Sequence, residues 1–212
     1  MDETLKTAGT RTERKRRRNQ EALIAAGYQV ISAKGIDAAT MGEIAEIADV
    51  GSGTVYNYFA SKDDLVVAVM ERVMHDLAER IQRVTDTFDD PADVYAFGVR
   101  SVMHAVIEDH RWRGLLPRSE VAAQAMYRVM GPYALRDLRT ARDAGRYDFD
   151  DAELVWNLAS HAIVAFGLAV HEGALASAKL DEAVVALLGM AGVAAADARR
   201  IVRRDWPELP AE

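Results

Sequence analysis

Two short helical patterns separated by a glycine-containing turn restrict the fold of this chain more than any other feature. Thr40 is followed three residues later by Glu43, a spacing typical of a capping box at a helix N-terminus. The apolar residues at positions 44, 45, 47 and 48 give that helix one inner face, and Asp49-Val50-Gly51 predicts a tight turn. A second short helix is predicted from about Ser52 to Tyr58. Two short helices joined in this way form a helix-turn-helix unit, whose second helix enters the major groove of DNA.

Longer helical patterns flank this unit on both sides. Residues 12–34 carry an apolar stripe at helical spacing, and Gly35 is predicted to end that helix. Ser61 with Asp64 gives another capping signal, which predicts a fourth helix over about residues 62–84. The head of the chain is therefore predicted to be a small helical bundle.

The distribution of charge is more informative than its sum. The formal net charge is −7, yet residues 1–20 hold seven basic groups against three acidic ones. A basic end on an acidic body can hold one surface on DNA while the rest stays soluble. The chain has no cysteine, which excludes disulfides and thiolate chemistry. The longest apolar stretch, Ala162 to Val170, is too short for a membrane span, and no secretory signal is visible. We therefore expect a cytoplasmic protein that does not enter a membrane.

Residues 16–69 resemble the DNA-binding head of the TetR family of transcriptional regulators. The resemblance rests on Ala25-Ala26, Gly35, Thr40, Ile44-Ala45, Ala48, Val50, Gly53-Thr54-Val55-Tyr56, Tyr58-Phe59, Ser61-Lys62 and Leu65. It implies an all-α fold in two parts. A helix-turn-helix DNA-binding domain with a basic N-terminal arm would occupy residues 1–62. A helical domain for ligand binding and dimerisation would occupy residues 63–212.

The resemblance also implies which residues meet DNA. Thr40 and Lys62 would bind phosphate, Thr54 and Tyr56 would meet phosphate or a thymine methyl, and Asn57 would read a base edge. The full predicted set is Arg17, Arg18, Thr40, Ser52, Gly53, Thr54, Tyr56, Asn57, Tyr58 and Lys62. The alternative for the aromatic residues is a role in the core, which we predict for Phe59. Gly51 and Ser52 stand where the family usually has Ser and often Lys or Arg, and this departure bears on the operator sequence.

The rest of the chain also reads as helical. Helix starts are predicted at Asp90-Pro91 and Asp150, and helix breaks at Pro117, Gly131-Pro132 and Gly145. Residues 151–173 form a long predicted helix, followed by two more near 180–191 and 194–204. No segment alternates with a period of two between hairpin turns, so we expect no sheet.

The helix at 151–173 is apolar almost all round, and a small subunit can hardly bury such a helix alone. A two-fold interface supplies the second burying surface, so we predict a homodimer rather than one large monomeric core. Polar and aromatic residues within apolar helices are candidates for contact with a small-molecule effector. They are His104, Arg118, Met126, Tyr127, Met130, Trp156, Asn157 and His161. The alternative for each is a residue of the core or the interface.

The sequence thus predicts a regulator that binds a palindromic double-stranded operator as a homodimer and is released by an unknown effector. No metal-ligand spacing and no nucleophile with an ordered base and acid partner is apparent, so we predict no cofactor, no metal and no enzymatic activity. Activation, or repression without a ligand, remains open. A helical enzyme or adaptor that retains an inactive head is the alternative from another class.

Overall fold

A computed structural model describes residues 11–108, 112 and 116–210 of this chain. That part holds nine α-helices and two short 3-10 turns, with no β-strand among the described residues, as predicted. The helices form two compact units, Met1–Val69 and Met70–Glu212. The first ten residues of the predicted basic arm lie outside the described residues.

The first unit is a helical head. Its helices are α1 (Arg11–Ala38), α2 (Met41–Ile47), α3 (Ser52–Val55) and the beginning of α4 (Lys62–Thr85). Gly35 interrupts α1 with a φ of 81°, a conformation that favours glycine. The predicted end of the first helix at this glycine is therefore an interruption, after which one further helical turn follows.

The core of the head explains where the first unit ends. Leu23, Ile44, Val55 and Leu65 are fully buried, one from each of its four helices. Helix α1 approaches α4 closely at Gly27, where an added Cβ would lie 3.2 Å from Val69 Cγ2. Because the first turns of α4 belong to this core, the first compact unit ends inside α4, after Val69.

The predicted caps form at the helix starts of the head. Thr40 Oγ1 accepts a hydrogen bond from the backbone N–H of Glu43 at 3.3 Å, while the Glu43 carboxylate pairs with Lys34. At the start of α4 the box is reciprocal. Ser61 N–H donates to Asp64 Oδ2 at 3.0 Å, and Asp64 N–H donates to Ser61 Oγ at 3.1 Å. Each bond satisfies a backbone donor that a helix start leaves without a partner.

The second unit is built from the remainder of α4 and five further helices. They are α5 (Pro91–Glu108), α6 (Ser119–Asp143), α7 (Ala152–His171), α8 (Leu180–Met190) and α9 (Ala195–Val202). The predicted start at Pro91 and the predicted end near Gly145, which has a φ of 68°, are both observed. Pro117 lies in a 3-10 turn, Leu116–Arg118, directly before α6.

The predicted helix break at Gly131-Pro132 was wrong, because α6 runs through both residues. Proline lacks an N–H and disturbs the hydrogen bonds of the preceding turn. One turn before Pro132, the Tyr127 carbonyl accepts a hydrogen bond from the indole N–H of Trp156 at 3.0 Å. Gly131 leaves room for the same indole, since an added Cβ would lie 3.3 Å from Trp156 Nε1. Packing against α7 therefore supports α6 where the local sequence disfavours a helix.

Helix α7 also approaches α5 closely. Gly167 lies so near Val106 that an added Cβ would come within 2.0 Å of Val106 Cγ1. Val106 and Gly167 are both buried, so the valine has little room to move away. Glycine at this position is therefore required by packing and not by an unusual backbone angle.

Replacement of Gly167 by Ala is expected to lower the free energy of unfolding by about 1–3 kcal/mol, because the new methyl overpacks a filled core. Gly98→Ala is the matched control within a helix. Its new Cβ would meet only Ile81 Cγ2 at 3.8 Å, an ordinary contact. The control should raise stability by about 0.5–1 kcal/mol through helix propensity. Urea denaturation of both variants measures the two effects, and equal stability of the two would contradict the packing argument.

Candidate nucleic-acid interface and ligand cavity

The turn between α2 and α3 is held by backbone hydrogen bonds. Asp49 has a φ of 52°, in the left-handed region that Asp tolerates better than most residues. Val50 N–H donates to the Ala45 carbonyl at 3.0 Å and closes the turn. Gly51 is the N-cap of α3, and no side chain caps this helix. The N-terminus of α3 therefore presents its backbone N–H groups without the side-chain acceptor that Ser would supply.

Helix α3 and the turn that follows it are anchored by two buried residues, Val55 and Phe59, which are 0% and 5% exposed. Phe59 is thus a core residue, as predicted. Between them, Tyr56 is 59% exposed and Asn57 is also exposed. Of the other predicted contacts in this segment, Ser52 and Gly53 are exposed, and Thr54 and Tyr58 are half-buried. A small apolar anchor thus holds a mainly polar surface that can reach a partner.

The predicted DNA-contacting residues outside α3 differ in the hydrogen bonds and ion pairs that their side chains already make. Arg17 and Arg18 are exposed on α1, and Arg17 pairs with Glu21 at 2.9 Å. Thr40 is exposed, and its hydroxyl caps α2. Both arginines extend from the helix into solvent, the arrangement that phosphate contact requires.

Lys62 has a task other than the predicted phosphate contact. Its ammonium donates hydrogen bonds to the carbonyls of Ile36, Asp37 and Ala39, at 2.9, 3.2 and 3.2 Å. Three carbonyls match the three donors of an ammonium group. Lys62 therefore ties the start of α4 to the end of α1 by donating hydrogen bonds to carbonyls at that helix end.

The second unit contains a mainly apolar cavity among α4, α5, α6 and α7. Its lining consists of Ala78, Ile81, Gln82, Thr85, Tyr95, Gly98, Val99, Val102, Met130, Tyr133, Ala134, Arg136, Asp137, Trp156 and Ile163. Its volume of about 40 Å³ corresponds to about three waters, since one buried water needs about 10–15 Å³ by the same measure. A cavity that binds one benzene ring is about 150 Å³, so a ring enters this one only if its walls move apart.

Tyr95 and Asp137 are two of the polar residues that line this cavity. Tyr95 is 2% exposed, and its hydroxyl has no hydrogen-bond partner within the described residues. Burial raises the pKa of the Tyr95 phenol above its ordinary value, and the charge of Asp137 acts in the same direction. Burial also raises the pKa of the Asp137 carboxyl, although its hydrogen bond to Arg136 opposes the shift. The cavity thus pairs an apolar interior with a hydroxyl and a carboxyl.

The predicted effector contacts are only partly brought together. Met130 and Trp156 line the cavity, and the fully buried Met126 and half-buried Tyr127 are on the same helix as Met130 but outside the lining. The other four predicted residues are exposed and lie away from this cavity, namely His104, Arg118, Asn157 and His161. Sequence reasoning missed Tyr95 and Asp137. Asp137 stands seven residues after Met130, on the same face of α6, and this spacing was an available signal.

Helix α7 leaves an apolar face exposed in the single chain. Leu154 is 56% exposed and Leu158 is 48% exposed. By length and composition alone α7 could cross a bilayer, a test that the core helix of a soluble protein also passes. Asn157, His161 and Ala165 are exposed at helical spacing on the same face. On neighbouring α8, Met190 is 37% exposed. An apolar surface of this kind is typical of a protein interface.

Two family descriptions match the chain. "Bacterial regulatory proteins, tetR family" matches residues 23–69, and "Tetracyclin repressor-like, C-terminal domain" matches residues 90–204. Together they cover both units of the fold.

Individual relatives agree with this match. The crystal structure of RolR in complex with its ligand resorcinol is 31% identical, with a TM-score of 0.84, and the match covers 93% of this chain and all of that one. The regulator BetI of Stenotrophomonas maltophilia is 34% identical over 100 residues, or 47% of this chain and 49% of BetI. LuxR of Vibrio harveyi is 31% identical over 109 residues, which are 51% of this chain and 50% of LuxR. The chain thus spans about half the length of these curated relatives.

The contacts of Lys62 give a test that separates its observed task from the predicted one. Lys62→Met removes the ammonium and keeps much of the stem, so the free energy of unfolding should fall by about 1.5–3 kcal/mol. Arg18→Met, at an exposed position of α1, should change it by no more than about 0.5 kcal/mol. Thermal and urea denaturation measure both. Unchanged stability of the Lys62 variant, with DNA binding alone weakened, would instead favour the phosphate contact.

Proposed function

Since the chain belongs to the TetR family of bacterial transcriptional regulators, we propose that it is a homodimeric repressor. It binds a palindromic operator and leaves it when a small-molecule effector enters the body cavity. The observation that carries the DNA-binding part is the exposed polar surface around Tyr56, held by the buried Val55 and Phe59. This surface follows a turn of helix-turn-helix form, which places the second helix in the major groove.

The individual DNA contacts are part of this proposal. Asn57, exposed beyond the last turn of α3, reads a base edge with its amide, which can both donate and accept. Tyr56 and Thr54 meet phosphate or a thymine methyl, and the N–H groups at the start of α3, at Ser52 and Gly53, face phosphate. Arg17 and Arg18 add attraction that does not depend on sequence.

The dimer contact is proposed at the exposed face of α7, with α8 beside it. Leu154, Leu158 and Met190 are exposed apolar side chains on these two helices, and a contiguous apolar patch typically marks a protein interface. A two-fold axis through such a face buries the same residues of both subunits against each other. Two heads would then reach successive major grooves, about 34–36 Å apart on B-DNA.

The effector is proposed to bind in the body cavity, which is small and mainly apolar. RolR, which was crystallised with resorcinol, supports an effector with a single ring. Four lining residues, Ala78, Ile81, Gln82 and Thr85, belong to α4, the helix that begins at Lys62 in the head. Displacement of α4 by the effector is the proposed link to DNA, and a coupling of about 1–3 kcal/mol is typical of such regulators.

We further propose that the protein acts in the cytoplasm, where operator DNA is located, and that it catalyses no reaction.

Operator recognition by the native protein can be tested directly. Selection of fragments from a random DNA pool at near-physiological salt should enrich a palindrome with the native protein and none with Tyr56→Ala. Because Tyr56 is 59% exposed, its replacement should leave the melting temperature nearly unchanged. Weak, salt-sensitive binding without a motif, equal in both proteins, would contradict specific recognition by α3.

Two further variants separate base reading from phosphate contact. Asn57→Ala should relax the preference at one position of each half-site and cost about 1–3 kcal/mol. Arg18→Ala should weaken binding to all sequences alike and lower the salt slope by about one. Identical effects of the two variants on the selected motif would remove Asn57 from the recognition surface.

A further prediction concerns assembly. Leu158→Arg places a charge in the proposed interface, so sedimentation should show a monomer at concentrations at which the native protein is a dimer. Ile47→Arg is the matched control, because Ile47 is similarly exposed, at 44%, but lies on α2 of the head. The control should remain dimeric. A native protein that sediments as a monomer would contradict the proposed assembly.

A further inference from the structure

The cavity keeps a buried hydroxyl without a partner, although the fold satisfies the hydroxyl beside it. The rings of Tyr95 and Tyr147 meet edge to face, with centroids 5.8 Å apart. Tyr147 donates its hydroxyl hydrogen to the Ala92 carbonyl at 2.7 Å. Tyr95 lines the cavity, and its hydroxyl has no partner within the described part of the chain. A buried hydroxyl without a hydrogen bond destabilises a fold, and a ligand or a water that enters the cavity can supply the missing partner.

The carboxyl of Asp137 offers a second point of contact on the same cavity. Its side chain is 15% exposed. Arg136 donates from Nε at 2.8 Å and from Nη2 at 2.7 Å, and both hydrogen bonds end on the same oxygen, Oδ1. A carboxylate accepts about four hydrogen bonds in all, so acceptor capacity remains on Oδ2. Because Arg136 already balances the charge of Asp137, a charged ligand of either sign gains little here, and an anionic carboxylate has no hydrogen to donate to Oδ2.

Three other donors of the lining are already engaged. The Trp156 indole N–H donates to the Tyr127 carbonyl, and Thr85 Oγ1 donates to the Gln82 carbonyl at 3.3 Å. The Gln82 amide donates to Asp86. The Tyr95 hydroxyl and the Asp137 carboxyl are therefore among the polar groups still available to a ligand in this mainly apolar cavity.

We propose that Tyr95 and Asp137 together select the effector as a neutral, single-ring phenol with two hydroxyl groups. One ligand hydroxyl donates to Asp137, and the other exchanges a hydrogen bond with the Tyr95 hydroxyl. The ring occupies the apolar wall between them. This inference rests on the proposed function, since it names the class of effector for the same cavity.

The test uses the full chain without DNA and three probes: resorcinol, 1,3-dimethoxybenzene and benzoate. Resorcinol should raise the melting temperature and bind in calorimetry. Dimethoxybenzene, which carries a methyl group in place of each hydroxyl hydrogen, and the anionic benzoate should bind at least about tenfold more weakly.

Two tyrosine variants form a matched pair. Tyr95→Phe should raise the melting temperature of the free protein by about 2–4 °C, because it removes an unpaired hydroxyl, and should weaken resorcinol about tenfold. Tyr147→Phe should lower the melting temperature, because it leaves the Ala92 carbonyl without its donor, and should keep resorcinol affinity. Asp137→Asn, of equal size, should weaken resorcinol about tenfold as well.

Resorcinol affinity that survives Tyr95→Phe unchanged would overturn the proposal, as would tighter binding of benzoate or dimethoxybenzene than of resorcinol. Absence of any binding by resorcinol would overturn it too. Operator release is measured separately by DNA binding with and without resorcinol. If resorcinol binds through Tyr95 but operator affinity does not change, the proposed release fails and the recognition stands. If a ligand that does not need Tyr95 releases the operator, the proposed release stands and the proposed recognition through Tyr95 fails.

Discussion

The hydrogen bond from the Trp156 indole to the Tyr127 carbonyl fixes how α7 meets α6, and the cavity depends on it. The bond is made one turn before Pro132, where α6 would otherwise be weakest. Gly131 lets the indole approach, and no larger residue would fit without a shift. Because α6 continues unbroken, Met130 and Asp137 stay on one face, seven residues apart. A kink at Pro132 would rotate Asp137 away from the cavity that Met130 lines.

A different solution holds the polar surface of the head. Helix α3 has only four residues and no side-chain cap, so it cannot be stable by itself. Burial of Val55 and Phe59 supplies the energy that local interactions lack. Lys62 then fixes the start of α4 against the end of α1 through three carbonyls. The exposed residues of α3 are consequently not needed to hold the helix in place, and a surface for base recognition requires such residues on a rigid support.

Features that depend on a few neighbouring residues could be predicted from the sequence. The caps at Thr40 and Ser61, and the helix start at Pro91, follow from local hydrogen bonding and backbone angles. Features decided by distant contacts could not. The continuity of α6 requires Trp156, which is about 25 residues further along the chain. The cavity is lined by four helices, so the residue spacing within one helix cannot show that Tyr95 and Asp137 line the same cavity. His161 was chosen because it is a polar residue within an apolar helix, but it is exposed and is not part of the lining.

Two neighbouring buried tyrosines, Tyr147 and Tyr95, differ in whether their hydroxyl groups are hydrogen-bonded. Tyr147 is fully paired, and its raised pKa reflects burial first. The Tyr95 hydroxyl beside it has no hydrogen-bond partner among the described residues, and an unpaired buried hydroxyl lowers the stability of a fold. A ligand that supplies the missing hydrogen bond recovers that free energy and stabilises the form of the body that fits it. Since α4 lines the cavity at Ala78, Ile81, Gln82 and Thr85, that form includes a position of α4. Linkage is reciprocal: if the effector prefers one position of α4 and DNA another, each must weaken the other by the same factor.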